Sequence, residues 1–293
     1  MSNIVLISDS ACDLSSSLLA KYNVETVPFY ISFDGTNYQK EIVDISIDEF
    51  YKKLRAEKVY PKTSLPAIND YVEKFTPYIE AGKSIICVTI SSKVSGSYNA
   101  ATNAREIILE NYPNATIEII DSQNATSGEG ILVIEISRMI SAGLEFSKIV
   151  DIARKQVETA RIYFPLETLD YLVHGGRIGK ATALVGSMLN IKPILELKEG
   201  ELFPFAKVRG TKKALSRIIE ATADYVGSEK DDYNYLVTQS DNVEYATITS
   251  ENLKKEMNVE VEEDFSDIGT TVGVYVGPDA VGICLIKKYE KFL

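Results

Sequence analysis

The strongest constraint on this chain is the alternation in its first half. Short apolar runs, each about one strand long, take turns with segments of helical periodicity. Ile4–Ile7 is the first run and is followed by polar Ser8-Asp9-Ser10. Val24–Ile31 is the second and contains Pro28, so it reads as an edge or irregular strand. Ser84–Ile90 and Thr116–Ile120 continue the series. Helix starts fall between them. One lies near Ser15; a second is the capping box of Ser46 and Glu49. A third is Ser64 with Pro66, running to Gly82. Ser97–Asn111 carries a stripe of Ala101, Ala104, Ile107 and Ile108, and Ala125–Ala142 is a further helix. A strand that leads into a helix and then into another strand predicts a parallel sheet covered by helices.

The second half follows another rule. After a helix around Ser147–Thr159, strands are predicted at Ile162–Phe164, Ile191–Leu197, Leu202–Val208, Tyr233–Gln239, Val259–Asp264, Val272–Val276 and Val281–Ile286. Helices are predicted at Lys212–Tyr225 and Val243–Met257. Turns at Gly200 and Gly277 join neighbouring strands, which points to antiparallel pairing. The expected fold is therefore α/β with two domains. Residues 1–160 form an amino-terminal parallel sheet domain, and residues 161–293 an α+β domain with a mainly antiparallel sheet.

Charge and residue counts exclude several functions. Lys plus Arg is 31 and Asp plus Glu is 42, a net charge of −11 over 293 residues. Such a bulk charge repels phosphate, which argues against nonspecific nucleic-acid or membrane binding. His174 is the sole histidine and no CxxC spacing occurs, so a Cys/His zinc site lacks ligands. A Ser–His–Asp enzyme would have to be built on His174 alone, and we read that residue as a surface or hinge histidine. No Lys or Arg precedes the first apolar run, which is too short for a signal peptide. No stretch approaches the roughly 20 apolar residues of a membrane span. Cys12, Cys87 and Cys284 are widely spaced, as expected of free thiols in a reducing cytoplasm. Cys87 and Cys284 sit in apolar runs; Cys12 falls in a loop and is the one candidate reactive thiol.

Hydroxyl residues collect where strands end. Ser84–Ile90 runs into Ser91-Ser92, and Ser95-Gly96-Ser97 opens the next helix; Thr63-Ser64 opens another. Helix starts carry unpaired N–H groups and partial positive charge, so these hydroxyls either cap the helices or complete a site for a carboxylate or phosphate. Neither segment is a P-loop. Lys207-Val208-Arg209-Gly210-Thr211-Lys212-Lys213 puts four cations into seven residues of an acidic chain. Lys212 and Lys213 fall in a first helical turn, where they oppose the dipole. The segment is either an anion contact or a solvated basic face. Gly175-Gly176-Arg177 is a second cationic loop, read either as a carboxylate grip or as a structural turn. Acids at Glu260, Glu262, Glu263, Asp264 and Asp267 match no Ca²⁺ loop and read as a charged strand edge.

Taken in order, these segments resemble the DegV family along nearly the whole chain. Asp9-Ser10 with Asp13-Leu14 comes first, then Val27-Pro28 and Pro61-Lys62-Thr63-Ser64-Leu65-Pro66-Ala67. Ile90-Ser91-Ser92 with Ser95-Gly96-Ser97-Tyr98 follows, then Asp121-Ser122 and Gly128 with Gly130. Leu169-Asp170-Tyr171-Leu172 with Gly175-Gly176-Arg177-Ile178, Leu189-Asn190-Ile191-Lys192-Pro193-Ile194-Leu195 and Lys207-Val208-Arg209-Gly210 complete the set.

The resemblance implies a bacterial, non-enzymatic protein that holds one long-chain fatty acid between two domains. It needs no other cofactor. It further implies presentation of the carboxylate to a separate fatty acid kinase, with at most transient membrane contact and no nucleic-acid partner. By motif match, Thr63 and Ser95 would hold the carboxylate, in a set that includes Ser64, Gly96, Ser97 and Tyr275. Arg177 and Arg209 would lie near the anionic end or the kinase-docking face. Two readings from other classes stay open: a lipid-binding regulator with no kinase, and an enzyme acting on a phosphorylated small molecule through the Lys207–Lys213 cations. One departure stands out. Where the family reads Gly-x-His-x-Gly-Pro-Gly-Ala, this chain has Gly273-Val274-Tyr275-Val276-Gly277-Pro278-Asp279-Ala280. A neutral tyrosine thus replaces a head-group histidine.

Overall fold

The computed structural model describes residues 3–57, 59–184, 190–262 and 265–293. Its first half runs β1 (Ile4–Asp9), α1 (Ser16–Lys21), β2 (Val24–Val27), β3 (Tyr30–Ser32), β4 (Gln39–Lys40), α2 (Ile47–Glu57), β5 (Lys62–Ser64), α3 (Ile68–Glu80), β6 (Ser84–Thr89), α4 (Ser97–Asn111), β7 (Ile117–Asp121), α5 (Ser127–Ser141) and α6 (Phe146–Thr159). Four of these strands form the parallel sheet, in the order β2-β1-β6-β7. The second half runs β8 (Arg161–Pro165), α7 (Asp170–Gly175), β9 (Ile191–Lys198), β10 (Glu201–Arg209), α8 (Thr211–Val226), β11 (Tyr233–Gln239), α9 (Val243–Met257), β12 (Ser266–Asp267), α10 (Thr270–Val276) and β13 (Val281–Lys287). Its sheet has the order β10-β9-β8-β13-β11-β12 and is antiparallel except where β12 pairs with β11.

α5 explains how the two sheets share a core. Its Ile131 to Ile136 run is buried all round, and the helix touches β1 and β6 as well as β11 and β13. A helix apolar on every face is stable only when protein surrounds it. The largest apolar cluster accordingly joins Leu6 and Val88 of the first sheet to Ile162, Leu197 and Leu236 of the second.

Three expectations need correction, and all three bear on the site. First, Val24–Ile31 is two strands. β2 lies in the parallel sheet, while the chain breaks at Pro28-Phe29 and β3 enters a separate sheet of order β4-β3-β5. Proline cannot donate to a ladder, so pairing stops there. Second, Thr63 and Ser64 do not open a helix. They lie on β5, paired to Ile31 and Tyr30, and α3 starts after Ala67, whose N–H donates to Asp70. Third, Val272–Val276 is part of helix α10 and not a strand, and Gly277 caps it and joins no strand pair. The predicted strand over Val259–Asp264 is irregular through residue 262; Glu263 and Asp264 lie outside the described residues, as does Leu189.

The physical reason for α10 is Glu41. Its fully buried carboxylate accepts from Thr270 Oγ1 at 2.9 Å, Thr271 N at 2.8 Å, Thr271 Oγ1 at 2.8 Å and Ser10 Oγ at 2.5 Å. Negative charge at a helix start satisfies orphan N–H groups and the dipole together. Those interactions outweigh the strand preference of Thr-Thr-Val-x-Val. Gly273 then lets the helix seat: a methyl there would lie 2.6 Å from Tyr51 Oη and 2.7 Å from Phe50 Cε1. Glycine to alanine inside a helix ordinarily stabilises by up to about 1 kcal/mol. Gly273→Ala is instead expected to destabilise by about 1–3 kcal/mol through overpacking. A urea unfolding curve measures this; a raised midpoint would contradict the packing described.

Candidate functional site

Between the sheets lies a cavity of about 240 Å³. Its walls are mostly apolar: Phe29, Ile90, Val94, Ile162, Phe164, Leu172, Leu197, Leu202, Val272 and Val276 among others. Five polar lining residues gather in one cluster, Thr63, Ser64, Ser95, Arg177 and Tyr275, with the Gly96 backbone beside them; Thr126, Thr238 and Thr271 also line the wall. Each arrives from a different element. β5 brings Thr63 and Ser64, the turn before α4 brings Ser95 and Gly96, the segment after α7 brings Arg177, and α10 brings Tyr275.

The Tyr275 hydroxyl lies 2.7 Å from Thr63 Oγ1. Its ring packs against Gly175, where any side chain would strike it. The Arg177 guanidinium stands 5.2 Å from the ring centroid and donates to the Gly175 carbonyl at 2.8 Å. A cation over a tyrosine face contributes about 0.5–1 kcal/mol at an exposed site. The tyrosine is thus gripped from two sides with its hydroxyl aimed at Thr63. The site can offer several neutral donors and one exposed cation to an anionic group.

Two expected site residues are elsewhere. Ser97 is fully buried behind the cavity wall. Its hydroxyl lies 2.6 Å from Asp9 Oδ2 and 2.6 Å from the Tyr71 hydroxyl. A hydroxyl so engaged braces α4 against β1 and does not line the cavity. Arg209 ends β10 on the exposed face, paired in register with Ile191, and does not line the cavity either. Lys207, Lys212 and Lys213 share that exposure. His174 is exposed and stacks on Tyr60, centroids 3.7 Å apart, beside the cavity residues Leu172 and Arg177. Cys12 is not in an open loop. It sits buried in a short 3-10 helix, and burial drives its thiol well above the usual range, so it is unreactive.

A group of buried acids behind the cavity was not legible as a group. Asp9, Asp13, Glu41 and Glu129 are each at most 6% exposed. Asp9 accepts from Ala11 N at 3.2 Å, from Ile90 N at 3.1 Å and from Ser97 Oγ, so it braces the wall residue Ile90. Burial pushes its carboxyl up to about 7 against the lowering effect of those hydrogen bonds. Burial, then the charge of Asp9, raises Glu129; burial, then the charge of Glu41, raises Asp13. The one sequence signal was Glu129 just before the apolar run Ile131–Ile134. Among the described residues, no group of three or more His, Cys, Asp or Glu side chains is placed to hold a metal ion. Nor is any helix long and apolar enough to cross a membrane.

Fold and cavity together define a three-sheet α/β protein that encloses a mostly apolar space with a polar cluster in its wall. The chain belongs to the DegV family, a family of uncharacterised proteins whose profile matches residues 3–288. A DegV domain-containing protein of Clostridium acetobutylicum is 32% identical over 289 residues, covering 99% of this chain and all of the relative. A stearic-acid-binding protein from Eubacterium ventriosum superimposes with a TM-score of 0.93 at 36% identity, covering 99% of this chain and 100% of the other. A fatty-acid-binding DegV family protein from Thermus thermophilus superimposes with a TM-score of 0.88 at 26% identity, over 98% and 100% of the two chains.

The raised Asp9 carboxyl sets a pH dependence. Between about pH 4 and 7 the folded chain keeps a proton that the unfolded chain has released. Stability therefore falls as pH rises through that window. Asp13 and Glu129 shift in the same direction. The thermal midpoint is expected to drop between about pH 5 and pH 8, and Asp9→Asn to flatten the slope; an upward trend in the parent protein would contradict this.

Proposed function

We propose that this protein binds one long-chain fatty acid without transforming it, the acyl chain in the cavity and the carboxylate at Thr63, Ser64, Ser95, Gly96 and Tyr275. The observation that carries this reading is the Thr63–Tyr275 hydroxyl pair, 2.7 Å apart at the polar cluster of a mostly apolar cavity. Each methylene removed from water contributes about 0.8 kcal/mol, so a dry cavity suits a long tail. A carboxylate buried without donors is costly, and neutral hydroxyls meet it without trapping it. Fatty acids bound by solved relatives support the same ligand class. Protein purified from a bacterial host is expected to yield a fatty acid on extraction and mass spectrometry. Lipid-free protein that ignores added oleate would overturn the reading. Thr63→Ala and Ser95→Ala should each weaken binding by about 1–3 kcal/mol, the cost of an acceptor left unpaired.

The wider setting belongs to the same proposal. The chain divides near residue 160, and the protein works in the cytoplasm, where three free cysteines are ordinary. A separate kinase phosphorylates the bound carboxylate. Exposed Lys207, Arg209, Lys212 and Lys213 make no ion pair among the described residues, which leaves them free for an acidic partner surface. Arg209→Glu should lower acyl-phosphate formation with a cognate kinase while fatty-acid affinity stays within about twofold. Equal losses in both assays would point to a structural arginine.

A further inference from the structure

We infer that the cavity wall holds a second polar subsite, formed by Thr126 and Thr238 with Asp13 behind them, that takes a hydroxyl group carried along the acyl chain. This rests on the fatty-acid reading above and adds a substrate class to it, hydroxylated long-chain fatty acids.

Thr126 is the first observation. It precedes α5 with φ 47° and ψ −143°, a region that β-branched residues avoid. Backbone strain of that kind persists only where the surroundings impose it, and it concentrates at ligand sites. Its hydroxyl is poorly engaged. The residue is 6% exposed, and Oγ1 lies 3.4 Å from Thr238 Oγ1, beyond the usual O–H···O range. Thr238 donates to the Ser266 carbonyl at 3.3 Å, which leaves its lone pairs free. Thr271, the third threonine of the wall, is held more firmly: its hydroxyl donates to Glu41 at 2.8 Å, so it has no proton to offer a ligand.

Asp13 is the second and independent observation. Its carboxyl lies behind Thr126 and outside the cavity lining, is 6% exposed, and meets only the Thr126 hydroxyl and the Gly269 N–H, neither in good hydrogen-bond geometry. An unpartnered buried polar group is costly, and each such group calls for an explanation. Burial raises this carboxyl well above the ordinary range, which favours its protonated form, one that can donate as well as accept.

Both threonines line the cavity. Thr238 is paired in register with Gly282, which also lines it. A methyl on Gly282 would press on Thr238 Cγ2 at 3.2 Å and on Ile162 Cγ2 and Phe164 Cβ at 3.3 Å, so this part of the wall is closely packed and holds Thr238 in place. The neighbouring lining residues Ile162, Phe164 and Val281 are apolar. A chain hydroxyl beside Thr126 and Thr238 gains a donor and acceptors; one against the apolar side chains loses its water and gains nothing. Recognition is therefore selective for position along the chain.

The test uses the full-length protein and displacement of cis-parinaric acid. The competitors are stearate and a series of hydroxystearates with the hydroxyl moved stepwise along the chain. Stearate displaces the probe. One narrow window of positions should bind as well as stearate or tighter, with the remaining isomers at least tenfold weaker. Thr238→Val and Thr126→Val keep side-chain shape and remove the hydroxyl. Each should weaken the favoured isomer at least fivefold and leave stearate within twofold, which also certifies that the variant is folded. Stearate bound but every isomer weakened alike, or a window unmoved in both valine variants, overturns the subsite alone. Failure of stearate itself to displace the probe overturns the fatty-acid reading and the subsite with it.

Discussion

The Glu41 carboxylate is the interaction on which the rest of the site depends. It sits fully buried between the small three-stranded sheet and the start of α10, and it accepts four hydrogen bonds from Ser10, Thr270 and Thr271. Ser10 extends the tie, because its hydroxyl also accepts the Phe29 N–H at 2.9 Å. One acid thus holds the end of β1, the start of β3 and the start of α10. Tyr275 stands one helical turn beyond Thr271, and Thr63 stands on β5, which pairs with β3. The 2.7 Å approach of their hydroxyls follows from that anchor. No local preference of either segment produces it.

The same economy recurs behind the cavity. Asp9 fixes Ile90 and Ser97, Glu41 fixes Thr271, and Asp13 borders Thr126, so each acid touches a residue of the wall or the element behind it. Polar groups bury safely only when their partners are preorganised, and such networks define one arrangement at the expense of others. A cavity lined by apolar side chains alone has no equivalent constraint on its shape. Burial raises the Asp9 and Asp13 carboxyls, so the stability of this arrangement is sensitive to pH.

Much of this was legible in the residues and some was not. The helices at Ser97–Asn111 and Val243–Met257 match their expected limits because an apolar stripe and clear end signals bound each. The hydroxyls at 63 and 95 stood out by motif and do line the cavity. Ser97 did not follow, since the turn of α4 that shows Ser95 to the cavity points Ser97 at Asp9. Thr63 was read at a helix start and lies on a strand, because its neighbour is Ile31, a partner 32 residues away in the chain. Cys12 looked accessible because its local sequence is polar, yet α5 covers it.

By itself the sequence determined the repeating architecture. Apolar period, helix caps and glycine turns are local properties, and they suffice to specify a helix-covered parallel half and a mainly antiparallel half. Tertiary structure decided the rest. Whether Thr270–Val276 is a helix or a strand depends on a carboxylate 230 residues earlier, and the cavity is assembled from side chains of both halves. Long-range hydrogen bonds and close packing overrode propensity at those points. Their energies exceed the small preference of any residue for helix or strand, and no short stretch of sequence contains both partners.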